Sequence, residues 1–373
     1  MDSARVKELA REAGFDLAGI ASVEPFERER SALRERIGQG MFDGLPWFTA
    51  ERAEVSSDPR ALLPAARSII CLGISYESHA DGESYADGEP QAAPPRGQIA
   101  RYAWGEDYHD VLRAKLKDLQ RRLTDEAGEF EFRTFVDTGR LVDRAAAVRA
   151  GLGWYGKNTN LLNTNLGSWL FLAELVTTLD LEPDQPTRQH CGQCHACIDV
   201  CPTGAIVAPY VVDNNRCISF LTIELRGPIP RELRPLMGGW IFGCDLCQDV
   251  CPVNVQAQPV YHAEFSFRGT LDVAGLLELS EDDFRERFRR SPIKRAKRRG
   301  LLRNVCVALG NSGDRCALRP LTEALLRDPE PLVRGHAAWA LGRLGARETL
   351  VAARQLETDP YVQEEIDFAL TAD

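Results

Sequence analysis

Eight of the eleven cysteines in this chain fall between Cys191 and Cys251. The order is Cys191, Cys194, Cys197 and Cys201-Pro202, then Cys217, then Cys244, Cys247 and Cys251-Pro252. The first run has the ligand spacing of bacterial ferredoxins, in which three thiolates from one turn-rich loop each take an iron of a 4Fe–4S cube. The fourth cysteine, followed by proline, starts a helix that carries its sulfur to the other cluster. The second run repeats the device, with its first member displaced to Cys217. The spacing therefore assigns Cys191, Cys194, Cys197 and Cys251 to one cluster. It assigns Cys201, Cys217, Cys244 and Cys247 to a second. Paired Cys-x2-Cys also serves zinc, but two Cys-x3-Cys-Pro endings and eight ligands in all fit iron–sulfur better.

Reduced thiolates of this kind suit a reducing compartment, and the expectation is a cytoplasmic protein. Met1 to Val6 lacks a basic region followed by an apolar one, and no apolar run is long enough to span a bilayer. Cys71, Cys306 and Cys316 lie in apolar patterns and are expected to be small core residues. The net charge of −10 argues against a nucleic-acid partner, but the distribution is uneven: Arg285 to Arg303 holds ten Lys/Arg and one acid, Glu286. A run so one-sided is either a solvated face or a surface for a polyanion. Next to helical repeats it reads better as facing RNA or DNA.

Ahead of the cysteines, strands alternate with helices. Strand patterns at 15–22, 68–75, 131–136 and 169–177 are interleaved with helical ones at 2–13, 27–37, 107–126 and 141–150, which indicates an α/β domain. Residues 77–98 read as a polar loop. After the cysteines, Ala308-Leu309-Gly310 recurs as Ala340-Leu341-Gly342, and Asp328-Pro329 recurs as Asp359-Pro360. This is the mark of HEAT-like helical repeats. The fold class is α+β and multidomain: an α/β domain over 1–180, a ferredoxin-like two-cluster domain over 181–260, and a basic helix with α-helical HEAT-like repeats over 261–373.

Gly151-Leu152-Gly153-Trp154-Tyr155-Gly156 matches G-x-G-x-x-G by letter, but a helical pattern precedes it where a dinucleotide site needs a strand. These glycines are read as a helix cap and a place of close backbone approach. Asp137, after the strand ending at Val136, is either a helix N-cap or a general acid. Position alone favours the cap. The loop Arg101 to His109 gathers aromatic rings, an arginine and a histidine, and Lys157 to Asn160 is polar after the glycine turn. Both suit ligand contacts.

The succession of Val136-Asp137-Thr138-Gly139, Gly151 to Asn160, the eight cysteines with Cys201-Pro202-Thr203-Gly204 and Cys217 to Glu224, and Lys297 to Asn304 before the repeats resembles the epoxyqueuosine reductases. These are cobalamin-dependent enzymes that complete queuosine in tRNA, related to reductive dehalogenases. The resemblance spans nearly the whole chain. It implies cobalamin in the first domain, electrons from an external donor passing through the two clusters, and Asp137 as the acid that protonates the departing epoxide oxygen. It implies a cofactor pocket drawn from Arg60, His109, Asp137, Asn158, Asn160, Ser168, Ser219 and Asp245. It also implies a grip on the tRNA anticodon stem-loop by Lys294, Arg295, Lys297, Arg298, Arg299 and Arg303. A monomer with no membrane partner is expected. Where such proteins tend to have proline and a Leu-Glu pair after Asp-Thr-Gly, this chain has Arg140 and Val142-Asp143. The rival readings are a reductive dehalogenase-like enzyme of a small molecule and a non-enzymatic electron-transfer scaffold.

Overall fold

The computed structural model describes residues 1–77, 97–258, 260–266 and 272–371, so most of the polar loop expected over 77–98 lies outside the described residues. By compactness the chain groups into two units, each assembled from separated stretches. The first is Met1–Asp81, Glu106–Asn215 and Leu246–Ser266, and the second is Gly82–Gly105, Arg216–Asp245 and Phe267–Asp373. The cysteine segment is therefore shared between units and is not a separate compact body. Ligand loops with few apolar residues bury too little surface to pack alone.

The first unit is built on α1 (Ser3–Glu12), β1 (Leu17–Ser22), α2 (Glu27–Gly38), α3 (Ala50–Ser56), β2 (Ser68–Ser75), α4 (Tyr108–Ala127), β3 (Phe132–Phe135), α5 (Asp143–Arg149) and β4 (Leu170–Thr177). The strands form one sheet in the order β1-β2-β4-β3. The expected alternation of strand and helix holds, yet every pair in this sheet is antiparallel. The rule that ligands sit outside the carboxyl ends of strands belongs to parallel sheets, so it does not locate the site here. Apolar residues at helical spacing on α4 (Leu112, Leu116, Leu119, Leu123) are completely or almost completely buried. On the other side of the sheet, Ala145, Ala146 and Ala147 of α5 join Ala21, Ile69, Cys71 and Val176 in a single apolar cluster. Small alanines let this short helix lie close to the strands.

In the second unit α6 (Ile218–Ile223) and β5 (Trp240–Phe242) precede the repeats α7 (Lys297–Ser312), α8 (Leu318–Arg327), α9 (Pro331–Arg343), α10 (Arg347–Leu356) and α11 (Pro360–Thr371). Helices α7, α9 and α11 pack side by side in that order. The recurring glycine explains the spacing of the repeat. A Cβ on Gly310 would lie 2.8 Å from the Ala340 Cα, and one on Gly342 would lie 2.7 Å from the Ala369 Cβ. Both are distances that real side chains do not tolerate.

The basic run does not form the single exposed helix expected from sequence. It is divided among Glu281–Arg287, the 3-10 turn Pro292–Ala296 and α7. Two of its arginines are interior. Arg303 is fully buried and donates to the carbonyls of Leu221, Leu225 and Gly227. Arg298 is buried in a two-point pair with Asp328, with a further bond to the Leu279 carbonyl. Both are corrections to the expected tRNA-binding set, because a guanidinium buried among protein acceptors is not presented to phosphate. Of the cysteines expected in cores, Cys71 and Cys306 are buried but Cys316 is exposed, on a turn that Asp314 caps. No helix among the described residues is long and apolar enough to cross a membrane.

His336 on α9 is completely buried, with Nε2 accepting from Ile229 N at 3.2 Å and Nδ1 bonded to the Leu332 carbonyl at 2.7 Å. That pattern needs the neutral ring, and burial together with Arg234 and Arg303 pushes its pKa well down. The unfolded chain takes up this proton near pH 6.5 while the folded chain does not, so the contribution is complete above that pH and is lost as pH falls. Replacing His336 by Gln is expected to flatten the acid side of the stability–pH curve below about pH 6.5, read from denaturant midpoints across pH.

Candidate active site

Asp107 ends the loop before α4 and caps that helix. Its Oδ1 accepts from His109 N at 3.1 Å and lies 2.9 Å from His109 Nδ1. The imidazole is thereby fixed with Nδ1–H toward Asp107 and Nε2 turned toward Asp137, 3.8 Å from Oδ2. That Nε2 is buried and has no hydrogen-bond partner among the described residues. The Tyr108 ring stacks on His109 at 4.2 Å and on Phe171 at 4.4 Å, and its hydroxyl donates to Asp137 Oδ2. Strand β4 thus supplies the floor on which Tyr108 rests.

Asp137 stands two residues beyond the end of β3, in left-handed backbone with φ of 49°. For a residue other than glycine this conformation is uncommon, and aspartate tolerates it better than most. It does not cap α5, whose N-cap is Val142. The bland reading open at the sequence level is thus set aside. With its side chain 48% exposed, Asp137 faces outward while the Tyr108 phenol holds one of its oxygens from within and His109 Nε2 stands 3.8 Å from it. A carboxyl so held, with a route to solvent, can carry a proton to an incoming group. Arg52 donates to the Gly139 carbonyl at 2.7 Å and braces the same loop, while Arg140 next to it is exposed. Burial and the nearby Arg140 lower the Arg52 pKa.

The same unit holds the start of the cysteine segment. Burial pushes the Cys197 thiol up, and the neighbouring Cys191, Cys251 and Cys194 add to it. Cys251 is raised in the same way, with Cys191 and Cys194 contributing. The first unit therefore gathers these four sulfurs. Such a set favours a positive metal cluster, which removes the mutual repulsion of the thiolates. Lys157 Nζ holds the loop by donating to the carbonyls of Gly192 and Cys194 at 2.9 and 2.8 Å. Cys201 accepts from Ala205 N at 3.3 Å, a bond that suits a ligating sulfur. Of the remaining ligands, Cys201 and Cys247 belong to the first unit and Cys217 and Cys244 to the second.

Several residues expected at a cofactor pocket are engaged in holding the protein together. Ser168 is buried, donates to Gln248 Oε1 at 2.8 Å and accepts from Asn254 Nδ2 at 2.9 Å. It thereby ties the start of β4 to the cysteine segment. Asn158 is buried, donates to the Cys247 carbonyl and accepts from Asn160 N. Asp245 is buried and accepts from Arg101 N at 2.7 Å. The polar groups of these three are bonded to protein partners. Arg60 is exposed near the Val23 carbonyl and Glu24, and Asn160 and Ser219 are half-buried. His109 is the expected pocket residue that the structure brings to Asp137. Sequence reading missed Tyr108, Asp107, Lys157, Gln248 and Asn254 as individual contributors. Asp107 was legible as the aspartate just before a long amphipathic helix, and Tyr108 and Lys157 lay in the two stretches read as suited to ligand contacts; Gln248 and Asn254 carry no local signal.

Three family models match the chain: epoxyqueuosine reductase QueG, DUF1730, over residues 57–138; the 4Fe-4S double cluster binding domain over 190–254; and HEAT repeats over 293–371. An epoxyqueuosine reductase of Pseudomonas aeruginosa is 42% identical over 91% of this chain and 94% of its own length. One of Escherichia coli strain K12 is 39% identical over 91% of this chain and 88% of its own. A crystal structure of an epoxyqueuosine reductase with an epoxyqueuosine-modified tRNA-Tyr stem loop is 34% identical with a TM-score of 0.90, and covers 98% of this chain and 97% of its own.

Lys157→Met keeps the aliphatic stem but removes both bonds to the first cluster loop, and bonds to charged groups contribute roughly 1.5–3 kcal/mol. The expected result is a protein that folds normally yet loses iron faster on exposure to air, followed by iron content per chain over time.

Proposed function

The chain belongs to the epoxyqueuosine reductase family, and we propose that it reduces the epoxide of epoxyqueuosine at the tRNA wobble position to give queuosine, with Asp137 as proton donor. The observation that carries this reading is the placement of Asp137 against Tyr108 and His109, with Asp107 behind the imidazole. Removing the epoxide oxygen takes electrons and protons. The eight cysteines would hold two 4Fe–4S clusters, which when bound would supply one-electron redox chemistry. Cobalamin, when bound, supplies low-potential metal chemistry that no side chain offers. Its fit here rests on the buried His109 Nε2, since a buried polar nitrogen needs a partner and a bound group can supply one. In the first unit, His109, Arg60 and Asn160 are the residues that would hold it.

The chain's own part is the proton. Tyr108 and His109 fix the direction of the Asp137 carboxyl, so that it meets an oxygen presented from solvent. A base in a single-stranded loop can be turned out toward such a group. Lys294, Lys297 and Arg299 are exposed on the second unit and form the phosphate-facing patch. Arg295 is half-buried and engaged with Glu224 at 2.5 Å, which leaves it a lesser part. The protein acts as a cytoplasmic monomer.

Asp137→Asn is expected to retain iron and corrin while turnover of epoxyqueuosine tRNA falls by about 10²- to 10⁴-fold, the usual contribution of a general acid. An electron-transfer scaffold would lose nothing in this variant, and full turnover removes Asp137 as the acid. Lys297→Glu with Arg299→Glu is expected to weaken tRNA binding across sequences and to lower the salt dependence by about one ion per charge removed. Arg298→Glu is expected to lower the melting temperature instead, because it breaks a buried pair.

A further inference from the structure

Six of the eight clustered cysteines belong to the first unit, and among them Cys194 alone is exposed; the other five are half-buried. Electron transfer slows steeply with distance, so the surface over an exposed ligand is where a donor outside the protein comes nearest. Gly192, Gln193 and His195 beside it are exposed as well. Lys157 joins this loop to a second exposed stretch. Its Nζ donates to the Gly192 and Cys194 carbonyls at 2.9 and 2.8 Å, and its own carbonyl accepts from Tyr210 N at 3.0 Å. Tyr210 lies in the turn of a hairpin made by Ile206–Ala208 and Val211–Val212, and the helix Ala196–Asp199 packs on the first of these strands. Val207 of that strand is 50% exposed, with Ala208 and Pro209 exposed next to it.

The charge here runs against that of the whole chain. The sequence holds 55 Asp and Glu and a net charge of −10, yet over residues 185–212 the only acid is Asp199. Asp199 pairs with His195. Asp213, just beyond, accepts from Asn215 N and Nδ2 at 3.0 and 3.1 Å, and Asp184, just before, is held by Lys7 and by Ile20 N. The cations are not neutralised in this way. Arg188 is exposed and bonded to no carboxylate among the described residues. Lys157 and Arg36 donate to backbone carbonyls, Arg36 to that of Tyr210 at 2.9 Å, and so keep their charge beside the loop. An apolar centre with an uncompensated positive rim suits a brief, oriented protein encounter.

We propose that loop 192–195 and the hairpin turn about Val207 form the docking face for an acidic, low-potential one-electron carrier protein, which delivers its electrons at Cys194. This donor site presupposes the reading of the cysteines as cluster ligands that serve epoxide reduction, and adds the kind of donor. Each encounter passes one electron: the carrier is oxidised by one, and the cluster on Cys191, Cys194, Cys197 and Cys251 is reduced by one. No bond forms or breaks and no proton moves. Reduction of one epoxide takes two encounters. The positive rim turns the carrier's acidic face to the loop and counters the repulsion between two negatively charged proteins. Val207 excludes water at the centre. Redox encounters bury less than about 1,200 Å² in all, which an exposed loop and one hairpin turn can supply.

Anaerobic stopped-flow mixing of the cluster-loaded protein with a reduced plant-type 2Fe–2S ferredoxin, the probe for an acidic carrier of low potential, follows the loss of cluster absorbance without tRNA. The parent is expected to be reduced in a second-order reaction whose rate falls steeply with salt. Val207→Glu and Arg188→Glu, on separate elements, are each expected to slow it about tenfold at low salt, and Arg188→Lys to keep the parental rate. Dithionite is expected to reduce all four proteins alike, with iron content and melting temperature unchanged. A parent that the ferredoxin does not reduce, a rate that is flat or rises with salt, or glutamate variants reduced at the parental rate overturns the proposal. So does slowing that dithionite shares, which marks a damaged cluster loop, and so does weaker tRNA binding with normal reduction, which gives the face to RNA. With no RNA in the reduction assay, failure there leaves Asp137 standing as the acid, and an active Asp137→Asn protein leaves this face standing.

Discussion

Strand β4 is hydrogen-bonded on both sides, to β2 along its whole length and to β3 over its second half. Most of what gives the first unit a function is attached to it. Ser168, just before the strand, is locked into Gln248 and Asn254, so the cysteine segment is registered against the sheet. Phe171 supports the Tyr108 ring, and Glu174 pairs with Phe135, two residues before Asp137. A strand paired on both edges cannot slide without breaking two ladders and turning its buried face outward. The relation between acid loop, aromatic support and first cluster loop is therefore set by one piece of backbone.

The polar interior follows a consistent division. Where a charged or polar group has partners, it holds the architecture. Arg303 and Asn304 bind the carbonyls of neighbouring segments, Arg298 pairs with Asp328, and Arg234 pairs with Glu365 at 2.7 Å, both almost fully buried. His109 Nε2 and both Glu174 oxygens are among the buried polar atoms without a hydrogen-bond partner among the described residues, and His109 Nε2 lies 3.8 Å from Asp137 Oδ2. Unsatisfied buried groups are costly and so are informative about chemistry.

How far the chain could be read from its letters depends on the range of the forces involved. The strand and helix positions of the first unit were legible because apolar periodicity is local, and the bounds of β2 and β4 differ from expectation by a residue at most. The repeat was legible because Gly310 and Gly342 answer the same packing need one repeat apart. The basic run misled because charge in sequence does not show depth. Lys297 and Arg299 are exposed, while Arg298 between them is buried, a consequence of helical rotation against neighbours that lie far off in the chain. Ser168 and Asn158, expected at a pocket, carry buried hydrogen bonds to the cysteine segment that no local pattern shows.

The sequence by itself determined what the chain can bind and which family it joins, because cysteine spacing, the Asp-Thr-Gly turn and the repeat glycine are short-range requirements written in adjacent residues. Only the tertiary structure decided what surrounds Asp137. Tyr108 and His109 reach it from a helix nearly thirty positions earlier, and the strand that leads to it is paired with one nearly forty positions later. Those neighbours exist only after antiparallel pairing has folded the chain back on itself, and the protonation of a carboxyl depends on what surrounds it in space.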